Sequence, residues 1–264
     1  MENSEESFKE LCKRLSLVDG VEGMMLGGSR ATGRYDKNSD YDLYVYCSVI
    51  PEKEKRYEAI EPCCAYIELN NMFFEIEDDC TLKGGTDIDI IYRDINGFER
   101  DLKSVVFECN AHNAYTTGLW FTLVKSTILS DKSGKVKALF DKFNVTYPKT
   151  LKKNIIKKGL CLLSGHLPSY DRQILKAHKR GDFISVNHRI TAFVETYFDV
   201  LFALNSKLHP GEKRMIEYAR ELDLTPELFE EDLKELFKAA SSDDHSRLEK
   251  VLDRLFKELS KIAI

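Results

Sequence analysis

The chain has 264 residues, 43% of them hydrophobic and 31% charged, with a net charge of −5. That is enough chain for one large domain or two small ones around real cores. The acidic balance argues against nucleic acid as the main partner, no apolar run is long enough to span a bilayer, and the Met1–Glu6 start has neither the basic region nor the apolar core of a secretory leader. Seven scattered cysteines, without a Cys-x-x-Cys pair, suggest neither a disulfide frame nor a zinc site. Reduced thiols in a cytoplasmic protein are the expectation.

In chain order, Phe8, Leu11, Cys12 and Leu15 recur at helical spacing, so an amphipathic helix is expected over 5–17. An apolar strand follows at 21–26. Gly27-Gly28-Ser29 then reads as a tight turn, with Ser29 as N-cap of a short helix whose free N–H groups suit a phosphate. After a loop at 36–39, a strand is expected at 40–47. Its alternation sends Tyr41, Leu43 and Val45 to one face and Asp40 and Asp42 to the other. Two adjacent carboxylates repel each other unless a cation lies between them, and a hard divalent ion with oxygen ligands suits that place.

Further on, a charged helix is expected over 52–60, and strands over 72–77 and 86–92 with a Gly84-Gly85 turn between them. The second strand again sets acids, Asp87 and Asp89, against aliphatics. Alternation places both on one face. Asp89 lies deeper, between Ile88 and Ile90, where an unpartnered charge is costly. Asn96-Gly97 reads as a turn, followed by helices over 98–109 and 119–129. From Lys135 onward only helical patterns remain: 135–143, 151–164, 169–180, 182–205, 211–222, 226–239 and 243–262. In the longest, Val186, Ile190, Phe193, Val194, Tyr197, Leu201 and Leu204 form the stripe of a bundle core. The stretch 144–150, with Pro148, is the expected seam, giving domains at 1–145 and 146–264.

Gly27-Gly28-Ser29 followed eleven residues later by Asp40-Tyr41-Asp42-Leu43 resembles the signature of the polymerase-β-like nucleotidyltransferase superfamily. That group includes minimal nucleotidyltransferases and the aminoglycoside- and lincosamide-modifying enzymes. The resemblance implies an α+β protein, with a small mixed-sheet nucleotidyltransferase domain followed by a C-terminal helical bundle that serves the substrate and its specificity. It implies a metal-dependent transferase moving a nucleoside monophosphate, with AMP from ATP the expected case, to a hydroxyl of a small molecule such as an antibiotic. A protein-modifying, AMPylating enzyme of toxin–antitoxin type and a non-catalytic nucleotide-binding module are the alternatives.

By the same resemblance, Asp40, Asp42 and Asp89 are the catalytic and metal-holding carboxylates. They would hold Mg²⁺, two ions, with Mn²⁺ as a substitute. Gly27, Gly28, Ser29, Arg30 and Ser39 would bind the nucleotide, with Lys213 a further candidate. A P-loop is excluded because no Gly-Lys-Ser/Thr follows the glycines, and a dinucleotide fingerprint fails on spacing. The lysines at 149, 152, 153, 157 and 158 read first as a solvated helix face. Arg172 and His178 have a spacing similar to that of helical HEPN-type RNases, but one such pair arises readily by chance.

Overall fold

A computed structural model describes residues 3–36, 39–72 and 75–263. The protein is a mixed-sheet α/β region followed by a helical region. Two compact units divide the chain: residues 1–103 with 122–145, and residues 104–121 with 146–264.

In the first unit, helix α1 (Ser4–Ser16) starts on Asn3, whose side chain accepts from the Glu5 N–H, an N-cap that satisfies one free donor of the first turn. Strand β1 (Val21–Leu26) leads through helix α2 (Gly28–Thr32) to β2 (Tyr41–Cys47). Helix α3 (Lys53–Ile60), β3 (Cys64–Asn71), β4 (Ile76–Leu82), β5 (Asp87–Asp94) and helix α4 (Ile95–Val106) follow. Helix α5 (Gly118–Lys125), β6 (Thr127–Asp131) and helix α6 (Lys135–Phe143) complete this half of the chain. The six strands form one sheet in the order β3-β4-β5-β2-β1-β6. Only β2 and β5 are parallel; the other neighbours are antiparallel.

One face of that sheet is the core. Leu43, Val45, Ile88, Ile90 and Tyr92 pack there with Phe8, Leu11 and Leu15 of α1 and Ile60 of α3. Phe8 stacks on Tyr41 with ring centroids 4.2 Å apart. Each such side chain removed from water contributes roughly 1.5–3 kcal/mol, enough to fix the strand register and turn the alternate residues outward. Asp42 of β2 and Asp87 and Asp89 of β5 therefore share the opposite face.

Several expectations change. The strand expected at 72–77 is not one: β3 ends at Asn71, Met72 lies outside it, only Ile76 and Glu77 belong to β4, and residues 73 and 74 lie outside the described ones. β3 is an edge strand whose outward-facing Tyr66 and Glu68 dilute the apolar signal. Asn96-Gly97 is not a turn. The Asp94 carboxylate accepts from both backbone N–H groups (3.2 and 3.0 Å) and opens α4 there. The helix expected over 119–129 ends at Lys125, and its last residues belong to edge strand β6. Ser29 is not the N-cap of α2. Gly27, held extended by its N–H on the Asp42 carbonyl (2.8 Å), takes that place.

The second unit contains helices α7 (Lys149–Leu163), α8 (Tyr170–Lys179), α9 (Phe183–Leu204), α10 (Met215–Ala219), α11 (Phe229–Ala240) and α12 (His245–Ile262). The expected stripe of α9 lies in its core, with Val194 partly buried at the margin. Gly159 of α7 lets that helix close on α9, since a Cβ there would lie 2.2 Å from the Val200 side chain. α10 is shorter than the 211–222 expected, with Lys213 in the turn before it. The basic stretch is partly structural. Lys152 Nζ caps α9 at the Leu204 carbonyl (2.6 Å), and Lys158 Nζ holds the Ala111 carbonyl (2.8 Å). Among the described residues, no helix is long and apolar enough to cross a membrane.

Candidate active site

The turn after β1 is built around the side chains of β2. A Cβ at Gly27 would lie 2.2 Å from the Tyr44 ring, and one at Gly28 would lie 1.7 Å from Oδ2 of Asp42. Gly28 also has a φ of +60°, a conformation that costs any other residue energy. Gly28 is thus required twice, by backbone and by space, and Gly27 by space alone, and together they bring the turn directly onto the Asp42 carboxylate. Tyr44 is itself fixed from behind by the Arg93 guanidinium, 4.1 Å from its ring centroid, which is in turn bound to both oxygens of Glu75. The Ser29 Oγ is buried beside this turn without a hydrogen-bond partner. An orphaned hydroxyl at a glycine turn is a donor waiting for an acceptor.

Arg30 and Ser39 shape the entry to β2. Arg30 donates from Nε to the Asp40 carbonyl (2.8 Å) and from Nη2 to the Ser39 carbonyl (2.6 Å), and its guanidinium covers the Tyr41 ring at 3.9 Å. The Ser39 Oγ accepts from the Asp36 N–H (2.9 Å). Residues 37 and 38 of that loop lie outside the described ones. Lys213 is exposed in the second unit.

Asp42 and Asp89 stand opposite each other in the parallel register of β2 and β5, and Asp79 of β4 stands opposite Asp89 on its other side. Burial, and then the charges of Asp40, Asp42, Asp79 and Glu77, push the Asp89 carboxyl up to about 7. Asp87, two residues earlier, is exposed and accepts from the Thr81 hydroxyl (2.7 Å). The contribution of β4 is missing from the sequence reading. Its signal is present, since Glu77, Asp79 and Thr81 alternate with Asp78, Cys80 and Leu82, but the misplaced strand boundaries hide it. Asp79 is held by Asn71 Nδ2 at 2.5 Å.

Among the described residues, no three His, Cys, Asp or Glu side chains converge as a ready-made metal cage. The donor set nevertheless suits Mg²⁺. That ion keeps several waters and takes one or two carboxylates together with substrate phosphates, so it needs no all-protein cage. A row of crowded acids, one of them pushed up to about 7, is the environment a divalent cation would relieve.

Residues 5–112 match the nucleotidyltransferase domain. The resemblance seen in Gly27–Ser29 and Asp40–Asp42 therefore extends over α1 to the end of α4, and the match includes every strand that contributes an acid to the shared face. Residues 114–215 match a second family, described as a domain of unknown function, DUF4037. No curated protein matches the chain. Among solved structures, a nucleotidyltransferase-like protein from Exiguobacterium sibiricum 255-15 is similar over 98% of this chain and 73% of its own, at 11% identity and a TM-score of 0.44. An aminoglycoside 6-adenyltransferase from Bacillus subtilis is similar over 99% of this chain and 90% of its own, at 10% identity and a TM-score of 0.33.

Proposed function

We propose that the protein transfers a nucleoside monophosphate from a nucleoside triphosphate, ATP in the expected case, to a hydroxyl of a small molecule. The observation that carries this reading is the contact between the glycine turn and the acidic strand. Gly28 lies on the Asp42 carboxylate, and Asp42 faces Asp89 across the parallel register. A phosphate chain held at the turn would thus lie against the carboxylates, where nucleotidyl transfer needs its charge compensated. The nucleotidyltransferase family match supports the reaction class.

In this reading Asp40 and Asp42 hold Mg²⁺, and Asp89 completes the set. When bound, the ion neutralises the phosphates and the charge that develops as the pyrophosphate leaves. The Gly28 N–H and the Ser29 hydroxyl bind the terminal phosphates, while Gly27, whose N–H is held by the Asp42 carbonyl, shapes the turn. Arg30 and Ser39 keep Asp40 and the start of β2 in place. Asp89 takes the proton of the acceptor hydroxyl as the oxygen attacks the α-phosphorus. The attack is a single in-line displacement, without a covalent enzyme intermediate.

The experiment is incubation of the full chain with Mg²⁺, each nucleoside triphosphate and a panel of hydroxylated acceptors, including aminoglycosides, read by mass spectrometry. The reading predicts a product heavier by one nucleoside monophosphate, with pyrophosphate released, and no product from Asp42→Asn. Phosphate transfer instead of nucleotidyl transfer, or equal product from Asp42→Asn, would overturn it.

A further inference from the structure

His178, in the last turn of α8, and His245, the first residue of α12, face each other through their Nδ1 atoms at 3.3 Å. Both are half-buried and belong to the second unit, so neither is part of the acidic sheet face. The other nitrogen of His178, Nε2, lies 2.8 Å from the Ser242 carbonyl oxygen. A carbonyl only accepts, so Nε2 carries the hydrogen and Nδ1 of the neutral ring presents its lone pair to His245.

We propose that His178 and His245 form a binding site for a zinc-type divalent transition-metal ion, with both Nδ1 atoms as ligands. Three observations carry it. First, two nitrogens each about 2.0–2.1 Å from a tetrahedral ion stand about 3.3 Å apart, which is the separation found here. Second, with its hydrogen on Nε2, His178 leaves Nδ1 unprotonated in the gap between the rings, so at least one of the facing nitrogens has the lone pair a metal ligand needs. Third, His178 has the support that metal-ligating histidines regularly have, a second ring N–H fixed on a backbone carbonyl that sets tautomer and orientation.

Among the described residues no third His, Cys, Asp or Glu side chain joins the pair as a ligand. The Asp244 carboxylate accepts from the Arg247 N–H (2.9 Å) as the N-cap of α12, and the Arg247 guanidinium is bound to both oxygens of Glu235 (2.5 and 3.0 Å). The ion therefore has two protein ligands, with water or an added ligand in its remaining positions. Imidazole nitrogens suit Zn²⁺, Ni²⁺ and Cu²⁺ and discriminate against Mg²⁺, so the site would stay distinct from the one on the sheet. Its effect is to tie the start of α12 and the 241–244 connection to the end of α8. It gives His178 a partner that the spacing from Arg172 does not suggest.

The test is titration of the full chain with ZnCl₂ against a chromophoric chelator, with Mg²⁺ in excess to occupy oxygen-ligand sites. Wild type, His178→Gln, His245→Gln and Asp42→Asn are compared, and circular dichroism verifies their helix content. The expected result is a zinc ion bound by wild type and Asp42→Asn alike, with affinity weaker by on the order of tenfold or more in each histidine variant. Equal zinc affinity in wild type and a folded histidine variant would overturn the proposal. Should a variant fail to fold, the wild-type chain decides by itself. Zinc should shift the imidazole nitrogen resonances of His178 and His245, and Co²⁺ should give a tetrahedral spectrum without thiolate charge-transfer bands. Unmoved histidine resonances, or a thiolate spectrum, would contradict it.

Discussion

Asp89 on the sheet and Asp199 on helix α9 are both withdrawn from water, and burial pushes both carboxyls up, to about 7 and about 6. Their surroundings are opposite. Asp199 is fully partnered: the Thr116 N–H donates to one oxygen (3.0 Å) and the Thr116 hydroxyl to the other (2.7 Å), and both bonds offset part of the burial. Asp89 has four other acids as its electrostatic neighbours, and each adds to the effect of burial. A satisfied buried carboxylate ties a strand or loop down. A crowd of acids on one sheet face costs stability and is kept for what it binds. On the proposed reading, the difference between a structural acid and a functional one therefore lies in the partners more than in the burial.

Exchanging the two roles is the largest test. Asp42→Asn should lower transfer by on the order of a thousandfold, since it removes charge placed for the reaction, while the melting temperature holds or rises. Asp199→Ala should do the reverse. It leaves the Thr116 N–H and hydroxyl without their acceptor and should cost roughly 2–3 kcal/mol, seen by calorimetric melting. If Asp42→Asn unfolds the protein while Asp199→Ala leaves its melting unchanged, the comparison fails.

A smaller effect is expected at the turn. Gly28→Ala places a Cβ where the Asp42 carboxylate lies and strains a φ of +60°. It should reduce transfer by roughly a hundredfold and cost on the order of 1 kcal/mol of stability, because the carboxylate must swing away. Gly33→Ala is the control. Its φ of +73° carries similar strain, but a Cβ there meets nothing within 4 Å, so it should lose stability and keep transfer.

The smallest effect is a pH dependence. The folded-state carboxyl of Asp89 is raised to about 7, above its ordinary value near 4. The folded protein therefore holds a proton that the unfolded chain releases, and this contributes stability below pH 4 that is lost as pH rises through 7. Asp89→Asn should remove that loss. In EDTA, the variant should melt higher than wild type at pH 8, by on the order of 1 kcal/mol given the partial exposure of the group, and the advantage should vanish near pH 4. A constant difference across that range would assign the effect to packing.

Much of the sheet was legible because one face had to be apolar. The alternation of Tyr41 through Cys47 and of Ile88 through Tyr92 announced both strands and the side their acids would take. The helical half was legible for the same reason, since the stripe from Val186 to Leu204 admits only a buried helix. What could not be read belonged to the edges. β3 and β6 are half-solvated, and their residues satisfy no simple period, so Asp79 was missed along with the boundaries of β4. Ser29 was misplaced because the bond between Gly27 and Asp42 lies outside local sequence. The structural work of Arg30 and Ser39 likewise depends on which carbonyls the fold brings within reach.

The central claim is that the acids of the sheet, together with the glycine turn, hold a nucleoside triphosphate through a divalent ion. Calorimetric titration of the full chain with each nucleoside triphosphate, in Mg²⁺ and in EDTA, tests it most directly, with Asp42→Asn and Asp89→Asn alongside wild type. The account predicts binding of at least one triphosphate in Mg²⁺, lost in EDTA and weakened in both variants. Equal affinity with and without the ion, or binding untouched by either substitution, would contradict it.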